Sequence, residues 1–146
     1  MNNLSFHITD ITANSIRANA SEIGLSVEEQ DTRIVIRITD NGSGMDAETA
    51  RRVTNPFYTT RTTRKVGLGL PFLIQNAEQT GGSVTLTSEP GKGTEVRAVF
   101  HSDHIDCPPW GDLPGTVALL ITGNPEINVC FEYLSLIHIS EPTRLA

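Results

Sequence analysis

The chain has 146 residues, of which 38% are hydrophobic, and this suits a single domain with one core. Its formal net charge of −6 and isoelectric point near 5.1 argue against a surface that binds nucleic acid or anionic lipid, so any anion site must be local. No stretch reaches the roughly 18 apolar residues of a membrane span, and Met1–Phe6 does not resemble a signal peptide. We therefore expect a cytoplasmic protein with reduced cysteines, Cys107 and Cys130, and with no nucleic-acid or membrane partner.

Hydrophobic periodicity predicts the first elements. Apolar residues recur at three- and four-residue steps across 7–20, which indicates a helix with one buried face. Residues 22–28 and 33–39 alternate between apolar and polar, and so predict two strands of a half-covered sheet. The glycine-rich turn at 40–45 and a short helix at 46–53 come next.

Residues 55–100 are predicted to form a loop, a second long helix and two more strands of the sheet. Residues 55–65 are polar and without periodicity, which is typical of a mobile loop, and the glycine segment 67–70 closes it. Pro71 begins a helix that we expect to run to about Thr80. Alternating residues from Val84 to Phe100, around the turn at 90–93, predict a hairpin. This order favours an α+β fold with helices on one face of a mixed, mostly antiparallel sheet.

The character of the chain changes after Phe100. Residues 1–100 form the predicted main domain, and residues 101–133 form a short extension made of a linker, a helix at 113–123 and a strand at 126–133. Residues 134–146 show no clear pattern and resemble a translated sequencing adapter. We expect this last segment to be non-native.

Two polar positions and a glycine turn form the first candidate site. Asp40 ends a strand beside the turn, where its carboxylate can accept a hydrogen bond from an exocyclic amine, while Gly42 and Gly44 leave room for a ring. The side-chain carbonyl of Asn14 suits magnesium, and Asp10, one helical turn earlier, can hold or polarise a water molecule. Each feature alone also fits a surface turn or a solvated helix face.

A second candidate site binds phosphate. Gly67 and Gly69 precede a predicted helix, so free N–H groups and the helix dipole form a cradle for an anion. The preceding loop adds cations and hydroxyl donors at Arg61, Arg64, Lys65, Thr59, Thr60, Thr62 and Thr63. The alternative is a basic, flexible surface loop.

The order of these motifs resembles that of the GHKL ATPase family, which includes histidine kinases, DNA gyrase and a heat-shock chaperone. The resemblance covers Leu4 to Phe100. In this range, residues 10–16 resemble the N box, 40–45 the first glycine box, 55–60 the F box and 67–70 the second glycine box.

The resemblance implies a fold, a ligand and site residues. The fold is a two-layer α/β sandwich of the Bergerat type, and the ligands are ATP and Mg²⁺. Asn14 is implied as the magnesium ligand, and Asp40 as the residue that reads the adenine amine beside Gly42 and Gly44. The remaining implied contacts, from the F box, the lid loop and the second glycine box, are Phe57, Thr59, Thr60, Arg61, Arg64, Lys65, Gly67, Leu68 and Gly69.

The resemblance also bears on activity. Hydrolysing branches of the family have glutamate where this chain has Asp10, and the shorter side chain predicts slow hydrolysis. The strongest likeness is to sensor histidine kinases, which implies a signal-transduction module that passes phosphate to a separate protein partner. His7 favours a capping or packing role over phosphoacceptance. The alternative is a non-hydrolysing, nucleotide-sensing module that binds a protein, as anti-sigma factors do.

The later part of the chain adds two hypotheses. The whole chain resembles small ATP-binding proteins of anaerobic bacteria, whose genes often lie beside those of iron hydrogenases and redox subunits, so a redox-enzyme subunit is a candidate partner. His101, His104 and Cys107 have a spacing that can bind zinc or iron with one outside ligand. The alternative is a docking loop whose polar residues cap the sheet.

Overall fold

The structure, a computed structural model, describes residues 3–53 and 69–135. Its helices are α1 (Leu4–Arg17), α2 (Ala47–Val53), α3 (Gly69–Gln79) and α4 (Leu113–Gly123). Its strands are β1 (Glu22–Glu29), β2 (Arg33–Asp40), β3 (Ser83–Glu89), β4 (Gly93–His101) and β5 (Asn128–Ser135). The loop predicted at 55–65 lies outside the described residues.

The strands form one mixed sheet in the order β3-β4-β2-β1-β5. Neighbouring strands are antiparallel, with the exception of the parallel pair formed by β1 and β5. The α+β fold with a mixed, mostly antiparallel sheet is therefore confirmed. In the β2–β4 pair, Asp40 lies opposite Thr94, which places the end of β2 beside the start of β4.

The core lies between one face of the sheet and the helices. Alternate strand residues such as Leu25, Ile36 and Phe100 are buried against Ile8 of α1 and Leu73 of α3 in one cluster. Burial of large aliphatic and aromatic side chains contributes roughly 1.5–3 kcal/mol each. The two-residue periodicity of the strands thus places one row of apolar side chains on the helix-covered face, and this fixes the sheet against α1 and α3.

Helix α1 begins and ends three residues earlier than its apolar pattern predicts. The side chain of Asn3 accepts a hydrogen bond from the Phe6 N–H at 2.6 Å and caps the first turn. At the other end, Asn19 has a φ of 63°, which the helix cannot accommodate. Capping, rather than periodicity, therefore sets both ends of this helix.

Helix α3 begins at Gly69, two residues before the predicted start at Pro71. At its end, the Gly81 and Gly82 N–H groups donate to the carbonyls of Glu78 and Ala77. A Cβ atom at Gly82 would lie 1.8 Å from the carbonyl oxygen of Val99, so only glycine fits between α3 and β4. The glycine pair thus ends the helix close to the predicted end at Thr80 and lets the chain turn into β3.

The last part of the described chain joins the sheet. Helix α4 matches the predicted range 113–123, and β5 runs from Asn128 to Ser135 where a strand at 126–133 was expected. β5 pairs with β1, and α4 contacts α1. The division into a domain, an extension and a non-native tail stays a prediction, and residues 136–146 lie outside the described residues.

Candidate functional site

A pocket opens between α1, the end of β2 and the hairpin of β3 and β4. Its volume is about 260 Å³. The residues that line it come from distant parts of the chain: Ile11, Asn14, Ser15, Arg17, Ala18, Ile38, Asp40, Ser43, Gly44, Met45, Thr49, Leu70, Leu86, Thr94 and Val96. The structure therefore brings three predicted site residues, Asn14, Asp40 and Gly44, to one cavity.

The Asp40 carboxylate is held by two donors. Ser15 Oγ donates to its Oδ2 at 2.6 Å, and the Gly42 N–H donates to its Oδ1 at 2.8 Å. Each carboxylate oxygen can accept more than one hydrogen bond, so both retain capacity for a ligand. Asp40 is thus a half-buried acceptor with a fixed orientation at the wall of the pocket.

Asn14 and Arg17 are joined one turn apart on α1. Arg17 Nη2 donates to Asn14 Oδ1 at 2.6 Å, and both side chains line the pocket. This carbonyl oxygen is the one predicted to bind magnesium. A metal ion at that atom would require the exposed Arg17 side chain to move away.

Asp10 lies one turn before Asn14 and is half-buried. Burial raises the pKa of its carboxyl group above the ordinary value, and the positive charge of Arg17 partly opposes this shift. A raised pKa makes the carboxylate a stronger base, which is the direction that general-base chemistry needs. Asp10 is not among the residues that line the described part of the pocket.

The two predicted adenine-site glycines have close protein neighbours. A Cβ atom at Gly42 would lie 2.8 Å from the Ala18 side chain and from its carbonyl oxygen. Gly44 has a φ of +72°, and a Cβ there would lie 1.9 Å from the carbonyl oxygen of Glu89. Packing against α1 and the β3–β4 turn thus accounts for both glycines, and their contact with an adenine ring stays a prediction.

Most of the remaining wall of the pocket is apolar, apart from Ser43, Thr49 and Thr94. Residues of α1, the sheet, the loop after β2 and the first turn of α3 supply the apolar part, namely Ile11, Ile38, Leu86, Val96, Met45 and Leu70. Apolar walls with a few fixed polar groups are typical of sites that bind a flat, mostly apolar ring. The pocket thus combines an oriented carboxylate with a mostly apolar surface.

Residues 3–104 match the family model described as histidine kinase-, DNA gyrase B- and HSP90-like ATPase. The chain belongs to this ATPase family. It is 32% identical to a putative sensor protein of Shewanella frigidimarina over 64% of this chain and 15% of that protein. It is 29% identical to sensor histidine kinase YxdK of Bacillus subtilis over 66% of this chain and 32% of that protein. It is also 30% identical to sporulation kinase C of Bacillus subtilis over 68% of this chain and 23% of that protein.

The chain spans only 15–32% of the length of these three relatives. The family match and these relatives confirm the expected ATPase family and the likeness to sensor histidine kinases. Within residues 3–53 and 69–135, no helix has the length and apolar character to cross a bilayer.

Much of the predicted phosphate site lies outside the described residues. This applies to Phe57, Thr59, Thr60, Arg61, Arg64, Lys65, Gly67 and Leu68. Gly69 is described as the first residue of α3, and the next residue, Leu70, lines the pocket. The start of α3 therefore lies beside the cavity, and the phosphate cradle before it stays a prediction.

Several residues of the ATPase-domain pocket were missed by sequence reasoning. Ser15 lies on the buried face predicted for α1, and its signal was a polar residue at a buried helical position. Arg17 stands three residues after Asn14, a spacing at which helical side chains meet. Thr94 had no local signal: it reaches Asp40 through strand pairing, and its hydroxyl bonds Ser88 Oγ at 2.8 Å.

His7 packs inside the ATPase domain. It is 1% exposed, and its Nε2 lies 2.7 Å from Asn76 Nδ2 of α3, while the rings of Phe72 and Phe100 lie nearby. Burial lowers the pKa of the imidazole to about 4. Such a ring favours the neutral form and a packing role, and it presents no open face to a phosphate group.

The buried imidazole predicts a pH dependence of stability. Because its pKa is lower in the folded chain than in the unfolded chain, the unfolded chain binds more protons between about pH 6.5 and pH 4. We expect the free energy of unfolding to be at its full value above pH 6.5 and to fall by about 1 kcal/mol per unit as the pH decreases through this window. Urea unfolding at a series of pH values measures this slope.

His7→Gln is the matched variant, because a carboxamide can still hydrogen-bond to Asn76 and does not titrate. We expect the slope between pH 6.5 and pH 5 to flatten in this variant, whatever its absolute stability. An equal slope in both proteins would assign the pH dependence to other groups.

The proposed zinc or iron ligands do not assemble. Among the described residues, no three histidine, cysteine, aspartate or glutamate side chains lie close enough to hold a metal ion. His104 Nδ1 accepts the Asp106 N–H at 3.0 Å, and Cys107 is half-buried against the core. Burial raises the pKa of the Cys107 thiol, which disfavours its thiolate form.

Proposed function

We propose that this domain binds Mg-ATP in the pocket beside α1 and acts as a regulatory module that transfers the γ-phosphate to a separate protein partner. The observation that carries the proposal is the Asp40 carboxylate, which Ser15 and Gly42 hold at the wall of an apolar cavity. A carboxylate with a fixed orientation can accept a hydrogen bond from the exocyclic amine of adenine, and the apolar pocket wall suits its flat ring.

The residues near the pocket also fit magnesium. Mg²⁺ prefers oxygen ligands and retains several waters, so one carboxamide oxygen together with phosphate oxygens is a sufficient set. Asn14 Oδ1 would supply the protein ligand, and Arg17, released from it, would remain beside the pocket as a cation for phosphate oxygens. When bound, the metal ion would neutralise charge on the phosphates.

The phosphates would extend from the adenine site towards the start of α3. This helix has no acidic residue in its first turn, so its N-terminal N–H groups keep a favourable potential for anions. Gly67, Leu68 and Gly69 would lie against the phosphates, and cations of the preceding loop, Arg61, Arg64 and Lys65, would add charge. This half of the proposal rests on the sequence motifs.

Asp10 supports a slow reaction with water. Its raised pKa suits a base, but its side chain is shorter than the glutamate of hydrolysing family branches and does not reach the described pocket wall. We therefore propose that transfer to a protein acceptor is faster than hydrolysis. The buried His7 is not accessible as an acceptor. We propose that the acceptor lies on a separate protein, for which a redox-enzyme subunit remains our candidate.

The test is calorimetric titration of the chain with ATP, with and without Mg²⁺, followed by measurement of ADP formation. We expect binding between the micromolar and millimolar ranges that tightens with magnesium, and slow ADP release without a partner. In Asn14→Ala, the gain in affinity from magnesium should disappear. Gln75→Ala is the matched control, since it removes a carboxamide from an exposed position of α3.

Either of two results would contradict the proposal. One is the absence of both binding heat and a thermal shift with Mg-ATP. The other is an unchanged magnesium effect in Asn14→Ala. Binding without any ADP or labelled acceptor would instead leave only a nucleotide-sensing module and would contradict phosphotransfer.

A further inference from the structure

Residues beyond the family match contact the first turn of α1. The match ends at residue 104, whereas the contacting residues lie in the segment 107–111, which crosses the N-terminal end of this helix. The carbonyl oxygen of Pro109 accepts the Leu4 N–H at 2.8 Å. The carbonyl oxygen of Trp110 accepts both the Ser5 N–H at 3.1 Å and the Ser5 hydroxyl at 2.6 Å. We name residues 107–111 the α1 clamp.

The clamp supplies partners that the helix cannot supply itself. The first N–H groups of an α-helix have no acceptor within the helix. In α1, the Asn3 side chain serves Phe6, and the clamp serves Leu4 and Ser5. Since Leu4 is fully buried and Ser5 is 4% exposed, water cannot readily replace the clamp.

The opposite end of the same helix builds the pocket. Asn14, Ser15 and Arg17 line the cavity, and Ser15 bonds the Asp40 carboxylate. Helix α1 is therefore fixed at one end by the clamp and at the other by the adenine-site carboxylate. A shift or tilt of α1 at its first turn would move the side-chain oxygen of Asn14 relative to Asp40, because Asp40 belongs to β2 and would not move with the helix.

We propose that the α1 clamp is a positioning element of the Mg-ATP site, so that the extension after residue 104 is required for full magnesium-dependent affinity. The inference rests on the proposed function, because it assumes that Mg-ATP binds in the pocket. It assigns the clamp no contact with the nucleotide. Its effect passes through the placement of Asn14.

Gly111→Ala is the direct test. Gly111 has a φ of +73°, and a Cβ atom there would lie 2.6 Å from Cγ of Asn3, the residue that caps α1. The substitution would therefore displace the cap and the clamp together. We expect the ratio of ATP affinity with magnesium to that without magnesium to fall about fivefold, a size typical of losing a helix cap, while affinity for metal-free ATP changes little.

Gly81→Ala is the matched control. Gly81 has a φ of +85°, so alanine meets the same left-handed strain, but its Cβ would make only an ordinary contact of 3.7 Å with His101. A general loss of stability would affect both variants, and only the clamp variant should lose the magnesium effect. Titrations are made below the unfolding temperature of each protein, as read from thermal scans.

Ser5→Ala is a milder second variant, should Gly111→Ala fail to fold. It removes the side-chain hydrogen bond to Trp110 and should reduce the magnesium effect in the same direction, by about twofold. Equal magnesium effects in Ser5→Ala, Gly111→Ala, the control and the parent would overturn this inference and leave the proposed function intact. Failure of the parent chain to bind Mg-ATP would overturn both.

Discussion

Asp40→Asn should weaken ATP binding by about one hundredfold, or below detection. The substitution turns one acceptor oxygen into an NH₂ donor, which would meet another donor if it faced the adenine amine or the Gly42 N–H, whereas the Ser15 hydroxyl could accept from it. A buried donor that meets another donor costs about 1–3 kcal/mol, and loss of the negative charge adds to this. Calorimetric titration with Mg-ATP measures the change.

Two further variants separate the reading of adenine from general damage. Asp31→Asn makes the same chemical change on the exposed turn between β1 and β2, and its affinity should equal that of the parent. Ser15→Ala keeps the carboxylate but removes one donor, and should weaken binding by about fivefold. If Asp40→Asn bound ATP as tightly as Asp31→Asn, this pocket would not be the adenine site.

Gly44→Ala should lower the free energy of unfolding by about 3 kcal/mol or more and abolish ATP binding. The new Cβ would lie 1.9 Å from the carbonyl oxygen of Glu89, and the residue would also have to keep a φ of +72°. Backbone must therefore move where the loop after β2 meets the β3–β4 turn. Since this loop continues from Asp40, the adenine acceptor should move with it. Denaturant unfolding and ATP titration measure the two effects.

Gly91→Ala provides the comparison for strain alone. Gly91 has a φ of +77°, but nothing lies within 4 Å of the position of its Cβ. We expect a loss of about 1 kcal/mol in stability, with ATP binding retained. Similar stability losses in the two variants would mean that the close approach of Gly44 to Glu89 is not rigid.

The sequence predicted the elements best where burial is one-sided. Strands β1, β2 and β4 have one face buried against the helices, and their ranges were predicted to within about two residues. The paired residues Val35 and Val99 depart from this alternation, since they are buried on the opposite face. The start of α1 was wrong in part because two of its capping partners, Pro109 and Trp110, are remote in sequence, and its end was wrong because Asn19 adopts a left-handed φ that periodicity does not reveal. The parallel pairing of β5 with β1 was not predicted, since no local pattern specifies which edge a strand joins.

The candidate site was also predictable only in part from the sequence. Asn14, Asp40 and Gly44 were predicted from their motifs, and all three line the pocket. The pairing of Asp40 with Ser15 and Thr94 depends on how α1 and β4 pack, which residue types alone do not determine. The bond between Arg17 and Asn14 was predictable from helical spacing, and it changes the expectation for magnesium, which must compete with a guanidinium group.

The pairing of β1 with β5 also has a consequence for how the protein folds. Glu22 pairs with Asn128, whereas the two hairpins, β1 with β2 and β3 with β4, join residues that are close along the chain. Closing so long a loop carries a large entropic cost, which favours early hairpins and a late outer strand. During synthesis, the edge of β1 that faces away from β2 has no partner strand until β5 has been synthesised. The outer strand therefore completes the sheet after both hairpins have formed, and it adds no residue to the described lining of the pocket.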